Sequence, residues 1–149
     1  MITVIMKKII AFCGHSSFVG TKEDKERLLA LLESLVGDEP VEFFLGEYGG
    51  FDRFAATCAK AFRRHHPRAK LIWVVAYPST NVDNDGFDLI LYPPIEHIPP
   101  RFAIYHRNRW VAEQADILIA YVSHSFGGAY EMYRHAKKNR KEIYNLFTI

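Results

Sequence analysis

The chain lacks the features that mark several large classes of protein. Its 149 residues include only two cysteines, Cys13 and Cys58, without Cys-x-x-Cys spacing, so neither a disulfide framework nor a cysteine-bound zinc site is expected. No apolar run approaches the roughly 18 residues that span a bilayer, and the N-terminal residues lack the basic leader and small-residue cleavage site of a signal peptide. These absences predict a protein of the reducing cytoplasm with no membrane partner.

A strong charge of either sign is also missing. The chain has 19 Lys and Arg residues against 17 Asp and Glu residues, a formal net charge of +2, so no polyanionic partner is required. Its basic stretches, 63–68 and 134–141, fall at expected helix C-termini, where cations offset the helix dipole. Nucleic acid is therefore not the expected partner.

Motifs for metal or nucleophilic chemistry are absent as well. The seven histidines show no His-Glu-x-x-His pattern, and there is no Gly-x-Ser-x-Gly elbow. We expect no metal site, no bound cofactor and no serine or cysteine nucleophile.

What the chain does have is an alternation of apolar runs with helical patterns. The expected strands are 9–13, 41–45, 70–76, 116–122 and 142–146, and four helices follow the first four of them. Thr21 with Asp24 three residues later indicates the start of the first helix. Residues 78–100 read as an irregular insertion in which only 88–92 resemble a strand. We predict one α/β domain over 1–149, with a three-layer Rossmann-like fold and a mainly parallel five-stranded sheet covered by helices on both faces.

Glycines follow three of these strands at the point where each chain turns into a helix. One turn is Gly14 with His15, Ser16 and Ser17; the second, 46–52, contains Gly49, Gly50 and Asp52; the third is Gly127 and Gly128 followed by Ala129. Glycines at such turns allow close approach of a ligand, and the helix N-terminus favours an anion. Because carboxyl ends of parallel strands share one edge, the three turns predict one nucleotide-type site.

Each of these residues has a structural alternative. Gly127-Gly128 can be an ordinary tight junction between strand and helix, and Ser16 and Ser17 are common loop residues. Asp52 can cap its helix or accept hydrogen bonds from a ribose. Glu131 can stabilise the helix dipole or act as a general base toward a ligand at Gly128.

The third helix is expected to turn Arg107 and Asn108 toward the sheet. An inward arginine requires a carboxylate, a phosphate or carbonyl groups, because an unpaired buried charge is very costly. Two interpretations stay open: a structural ion pair with Asp52, Asp116 or a carbonyl, and direct contact with a ligand.

Taken together, these motifs resemble the SLOG superfamily, the Rossmann-like group that contains the LOG phosphoribohydrolases, DprA and the YpsA-like proteins. The likeness covers most of the chain. It rests on 12–15 after the first strand, 46–52 before an Ala-rich helix, Arg107-Asn108 ahead of 115–120, and 127–129 leading to Ala136. The YpsA-like branch is the most similar.

The resemblance implies a binding or sensing domain for a nucleotide or nucleotide-derived small molecule. Arg107 matches the arginine on the preceding helix of the LOG enzymes, which would make Arg107 and Glu131 the catalytic pair of a nucleoside 5'-monophosphate phosphoribohydrolase. The chain lacks the later Gly-Thr of the LOG signature and a glutamate at the same offset, so hydrolysis is the alternative function. DprA-like nucleic-acid binding is a weaker one. Homodimers are common among similar proteins, and Phe102 and Trp110 would be natural contacts.

Overall fold

The structure is a computed structural model, and it describes residues 7–46, 49–78 and 86–149. Its strands are β1 (Lys8–Gly14), β2 (Val41–Leu45), β3 (Ala69–Val74), β4 (Leu89–Leu91), β5 (Ile117–Tyr121) and β6 (Glu142–Asn145). Its helices are α1 (Lys22–Leu35), α2 (Gly50–His65), α3 (Ala103–Gln114), which a short 3-10 turn at Pro100–Phe102 precedes, and α4 (Gly128–Lys138). None of the helices in these ranges is long and apolar enough to cross a bilayer.

All six strands run parallel in one sheet, in the order β4-β3-β2-β1-β5-β6. The predicted α/β Rossmann-like class is confirmed, but the described residues form six strands in the sheet rather than five. The extra one is β4, a three-residue strand that pairs with β3 inside the segment expected to be an insertion. From β1 the chain first builds outward through β2, β3 and β4, and then returns to place β5 on the other side. The strand order therefore reverses between β1 and β5.

The helices cover both faces of the sheet and bury two separate apolar layers. Leu28 and Leu32 of α1 and Phe51 and Phe62 of α2 pack on one face. Val111 of α3 and Met132 and Ala136 of α4 pack on the other. This is the three-layer arrangement that alternating strands and helices predict.

The start of α1 follows the sequence prediction in detail. The Thr21 side chain accepts a hydrogen bond from the Asp24 N–H at 3.1 Å, and the Asp24 carboxylate accepts one from the Thr21 N–H at 3.0 Å. This reciprocal capping box satisfies two of the amides that a helix start leaves without an intrahelical acceptor.

Close packing between α2 and the loop after β1 accounts for two of the predicted glycines. A Cβ on Gly49 would lie 2.7 Å from Ser16 Cα, and a Cβ on Gly50 would overlap the carbonyl oxygen of Phe18. The Gly50 N–H donates to the Ser16 carbonyl at 2.8 Å. These glycines are needed because two backbones touch there.

A matched pair of substitutions tests this packing. Gly50 and Gly128 are both the first residue of a helix and both follow a glycine N-cap. Gly50→Ala should lower the free energy of unfolding by about 1–3 kcal/mol, because backbone must move to admit the methyl group. Gly128→Ala should leave stability nearly unchanged, because its Cβ would meet only Asn108 Nδ2, at 4.0 Å. Urea unfolding of the two variants checks the prediction, and equal losses would contradict it.

Candidate functional site

A cleft of about 550 Å³ lies at the carboxyl edge of the sheet, where the strand order reverses. In open α/β sheets, this crevice is where ligands bind, because the loops after the two diverging strands separate there. The cleft is lined by the end of β1 and its loop, the first turn of α2, one side of α3, and the loop that leads from β5 into α4. The residues are Phe12 to Ser17, Asp52, Ile104, Arg107, Asn108, His124, Phe126 to Ala129 and Met132.

His15 connects the loop after β1 to the loop after β5. Its backbone N–H donates to the Tyr121 carbonyl at 3.3 Å, and its Nε2 accepts a hydrogen bond from the Ser123 N–H at 2.9 Å. Its ring also stacks on His124, with centroids 3.6 Å apart and planes within 9°. The side chain is buried, with 8% of its surface exposed.

These contacts define the protonation state of His15. Burial, and to a lesser degree His124, lower the pKa of His15 below its usual value. A nitrogen that accepts from a backbone amide carries no proton, so the neutral ring holds its proton on Nδ1. His15 therefore stands at the cleft as a neutral imidazole whose Nδ1–H is a hydrogen-bond donor.

The charged groups of the cleft meet beside Gly46, at the end of β2. Arg107 of α3 is buried, with 5% of its surface exposed, as its inward position on the helix predicts. A Cβ on Gly46 would lie 3.1 Å from both Arg107 Nη1 and Asp52 Oδ2. The guanidinium and the carboxylate are therefore neighbours, and a side chain at position 46 would press on both groups. Asp116, the other carboxylate considered for Arg107, instead accepts from the Ile9 N–H at 2.8 Å.

Cys13 connects β1 to the first turn of α4. Its Sγ lies 3.7 Å from the carbonyl oxygen of Ala129, to which the thiol donates. Burial, with a smaller contribution from the Asp52 charge, raises the pKa of Cys13 far above its usual value. The thiol therefore stays protonated, so its role is packing rather than nucleophilic attack.

The α4 start presents its backbone to the cleft. Gly127 has φ +90°, a conformation that favours glycine, and a Cβ there would meet no atom within 4 Å. The first intrahelical hydrogen bond of α4 runs from the Glu131 N–H to the Gly127 carbonyl, so the amides of Gly128, Ala129 and Tyr130 precede the intrahelical ladder. Such amides, with the positive end of the helix dipole, favour an anion.

Glu131 lies outside this cleft. It is exposed and lines two neighbouring cavities in the groove between α3 and α4, together with Tyr105 and Arg109. Asn108 of α3 and Gly128 of α4 border both the cleft and the smaller of these cavities, so Arg107 and Glu131 line adjoining but different cavities. The larger cavity is also bordered by cations of the basic stretch in α4, namely Arg134, Lys137 and Lys138.

The fold thus brings most of the predicted site residues to one place. The cleft contains Gly14, His15, Ser16, Ser17, Asp52, Arg107, Asn108, Gly127, Gly128 and Ala129, whereas Gly49 and Gly50 contact the Ser16–Phe18 loop and Glu131 faces the α3–α4 groove. Glu47 and Tyr48 of the second glycine turn lie outside the described residues. Within the described ranges, no group of three or more His, Cys, Asp and Glu side chains is placed to hold a metal ion.

Two aromatic lining residues, His124 and Phe126, were not predicted as part of the site. Their ring centroids lie 4.0 Å apart, and the rings are tilted by 30° to each other. The available signal was their position, since both lie in the loop between β5 and the glycines, at the edge where a ligand was expected. No sequence pattern indicates that His15 stacks on His124.

Comparisons with known proteins establish a shared fold. The chain is similar to DNA processing protein A (DprA) from Streptococcus pneumoniae, with a TM-score of 0.62 and 21% identity over 92% of this chain and 49% of that one. It is also similar to the molybdenum cofactor binding protein from Rippkaea orientalis, with a TM-score of 0.63 and 17% identity over 94% of this chain and 76% of that one. The chain therefore spans about half the length of DprA.

No protein-family model and no curated protein sequence matches the chain. The two structural neighbours show the Rossmann-like fold that the resemblance to the SLOG superfamily implies. The YpsA-like branch stays a prediction.

The His15 contacts predict a pH effect on stability. Because the folded pKa is lowered, the unfolded chain binds more protons between that pKa and about 6.5, so the His15 contribution falls as the pH falls through this window. The difference in unfolding free energy between the wild type and His15→Gln should therefore be larger at pH 7.5 than at pH 5.5. Urea unfolding at both pH values measures it.

His66 provides the opposing control. Although its burial acts the other way, hydrogen bonds to Asp38 and Glu33 raise the pKa of His66, so its contribution is complete at low pH and is lost as the pH rises through the raised value. The loss caused by His66→Gln should accordingly be larger at pH 5.5 than at pH 7.5. The same pH trend in both variants would contradict the assignment.

Proposed function

We propose that the chain binds a nucleotide or nucleotide-derived small molecule in the cleft between the β1 and β5 loops, and that binding or sensing this ligand is its function. The observation that carries the proposal is the pairing of an open helix start at Gly127-Gly128 with the buried Arg107 in one cleft at the strand-order reversal. An anionic group is the ligand chemistry that both features favour.

The α4 start is the best candidate for the phosphate position. In α2 the equivalent glycine amide, Gly50 N–H, is already bonded to the Ser16 carbonyl, and the neighbouring backbone fills the space around it. At α4 the space beside Gly127 is open, and Ser16 and Ser17 stand on the other loop of the same cleft with exposed side chains. Their hydroxyl groups can donate further hydrogen bonds to phosphate oxygens.

Arg107 and Asp52 are the charged residues that can contact the rest of the ligand. Because Asp52 lies beside the guanidinium, its carboxylate offsets part of the positive charge of Arg107. The attraction of Arg107 for a phosphate is therefore weaker than that of an isolated arginine. The carboxylate can accept hydrogen bonds from the hydroxyl groups of a ribose, as acidic residues do in dinucleotide-binding folds. Asn108, with both a donor and an acceptor, can orient the sugar or base.

The similar proteins are consistent with this function. One is named for binding the molybdenum cofactor and the other for processing DNA. For this chain we propose a small molecule rather than a nucleic acid. The two buried free thiols are compatible with a cytoplasmic location, which we also propose.

Hydrolysis of a nucleoside monophosphate receives less support from the geometry. Its proposed general base, Glu131, faces the α3–α4 groove, and the carboxylate that lines the cleft is Asp52, which neighbours Arg107. A general base must reach the proton it removes, either directly or through one water molecule. We therefore propose binding as the function and keep hydrolysis as the alternative.

A thermal-shift and calorimetric titration tests the proposal. The probes are inorganic phosphate, ribose 5-phosphate and the four ribonucleoside 5'-monophosphates. A ligand at 100 times its dissociation constant should add about 2.7 kcal/mol to the free energy of unfolding. Ser17→Glu should weaken the binding of every phosphorylated probe by about tenfold or more, because it places a negative charge in the cleft.

Ser34→Glu is the matched control, because it adds the same charge on the exposed surface of α1, away from the cleft. It should bind the probes as the wild type does. No stabilisation by any probe would overturn the proposal. Equal weakening by both substitutions would show that the effect comes from net charge rather than from the cleft.

A further inference from the structure

Three aromatic rings form a column along one wall of the cleft. His15 stacks on His124 with centroids 3.6 Å apart, and His124 contacts Phe126 with centroids 4.0 Å apart and the rings tilted by 30°. We call these three residues the ring column. Its inner end, His15, is 8% exposed, whereas its outer end, Phe126, is 69% exposed. The column therefore runs from the interior to the mouth of the cleft.

The column is held by hydrogen bonds as well as by stacking. The Ser123 N–H donates to His15 Nε2 at 2.9 Å, and this fixes the loop that carries His124 and Phe126 relative to β1. Within the same loop, Ser123 Oγ lies 3.5 Å from His124 Nδ1. Phe126 therefore extends from a loop that these contacts hold in place.

Phe126 has no role in the folded core. It belongs to neither of the two apolar layers, and a large exposed aromatic ring leaves apolar surface in water that burial would stabilise. On the α3 side of the cleft, Ile104 is also partly exposed, at 38%. The exposed lining of the cleft therefore includes two apolar side chains, while the buried Arg107 and its neighbour Asp52 supply charge deeper in the cleft.

This division matches a ligand with a flat apolar end and an anionic end. Phe126 precedes Gly128 by two residues, so their Cα atoms are at most about 7 Å apart. A single ribose can bridge a base near Phe126 and a phosphate at the α4 start. Bases stack well on aromatic side chains, and the interaction tolerates different bases because each has a π-face.

We propose that the ring column is a stacking platform for a planar heterocyclic base and that the outer face of Phe126 contacts this base directly. The inference rests on the proposed function and sharpens it: the ligand is a base-bearing phosphate, not a sugar phosphate alone. Phe126 is then the residue that discriminates between these two classes of ligand.

Calorimetric titrations of the four ribonucleoside monophosphates and of ribose 5-phosphate test the inference. In the wild type, at least one nucleotide should bind roughly tenfold or more tightly than ribose 5-phosphate, as one stacked base implies. In Phe126→Ala, that preference should disappear, and Phe126→Trp should restore it. The Phe126 ring protons should also shift upfield when the preferred nucleotide binds to the wild type.

Phe102→Ala is the matched control, since Phe102 is likewise exposed, at 45%, but does not line the cleft. It should retain the wild-type preference. Equal binding of ribose 5-phosphate and all nucleotides, unchanged by Phe126→Ala, would overturn the stacking platform and leave the proposed function standing. Binding of none of the probes, including inorganic phosphate, would overturn both.

Discussion

β1 has hydrogen-bonded neighbours on both sides, and the chain reaches these neighbours by travelling in opposite directions across the sheet. β2 follows directly through α1, whereas β5 comes only after β3, β4 and α3 have been built. The loops at the carboxyl ends of β1 and β5 must therefore part, and the gap between them is the cleft. The positions of Gly14 to Ser17, of the α4 start and of the ring column all depend on this reversal.

Within that gap, charge is the second constraint. Arg107 is buried on the inner side of α3, and a guanidinium in that position needs a nearby anion to offset its loss of water. Asp52, presented by the first turn of α2, is the neighbouring carboxylate at Gly46. Arg107 and Asp52 lie on helices that cover opposite faces of the sheet. A ligand that contacts either of these groups therefore acts on both helical layers.

Local patterns were sufficient for much of the fold. The bounds of β2, the capping box at Thr21 and the inward side of α3 at Arg107 depend on residues close in sequence, and the structure has them as predicted. β4 was harder to place, because three partly exposed residues next to turn-rich sequence leave little periodicity to read. Its pairing with β3 is set by tertiary contacts rather than by the local sequence.

For the site as well, some features follow from the sequence and others depend on tertiary packing. That the glycine turns share one edge follows from parallel topology, but which glycines face a ligand does not. Gly49 and Gly50 are occupied by the Ser16–Phe18 backbone, whereas Gly127 borders open space, and only the packing of α2 distinguishes them. Whether Glu131 reaches the cleft cannot be read from the sequence either, because this depends on where α3 crosses α4. Likewise, the stack of His15 on His124 joins residues far apart in sequence.

The most direct test of the account is an amide chemical-shift titration of the wild-type protein with adenosine 5'-monophosphate. If the cleft binds the phosphate as proposed, the largest changes should fall on the backbone amides of Ser16, Ser17, Gly128 and Ala129, on the two loops that part at the strand-order reversal. Changes confined to the α3–α4 groove around Arg134 and Lys137, or no change at all, would contradict the account.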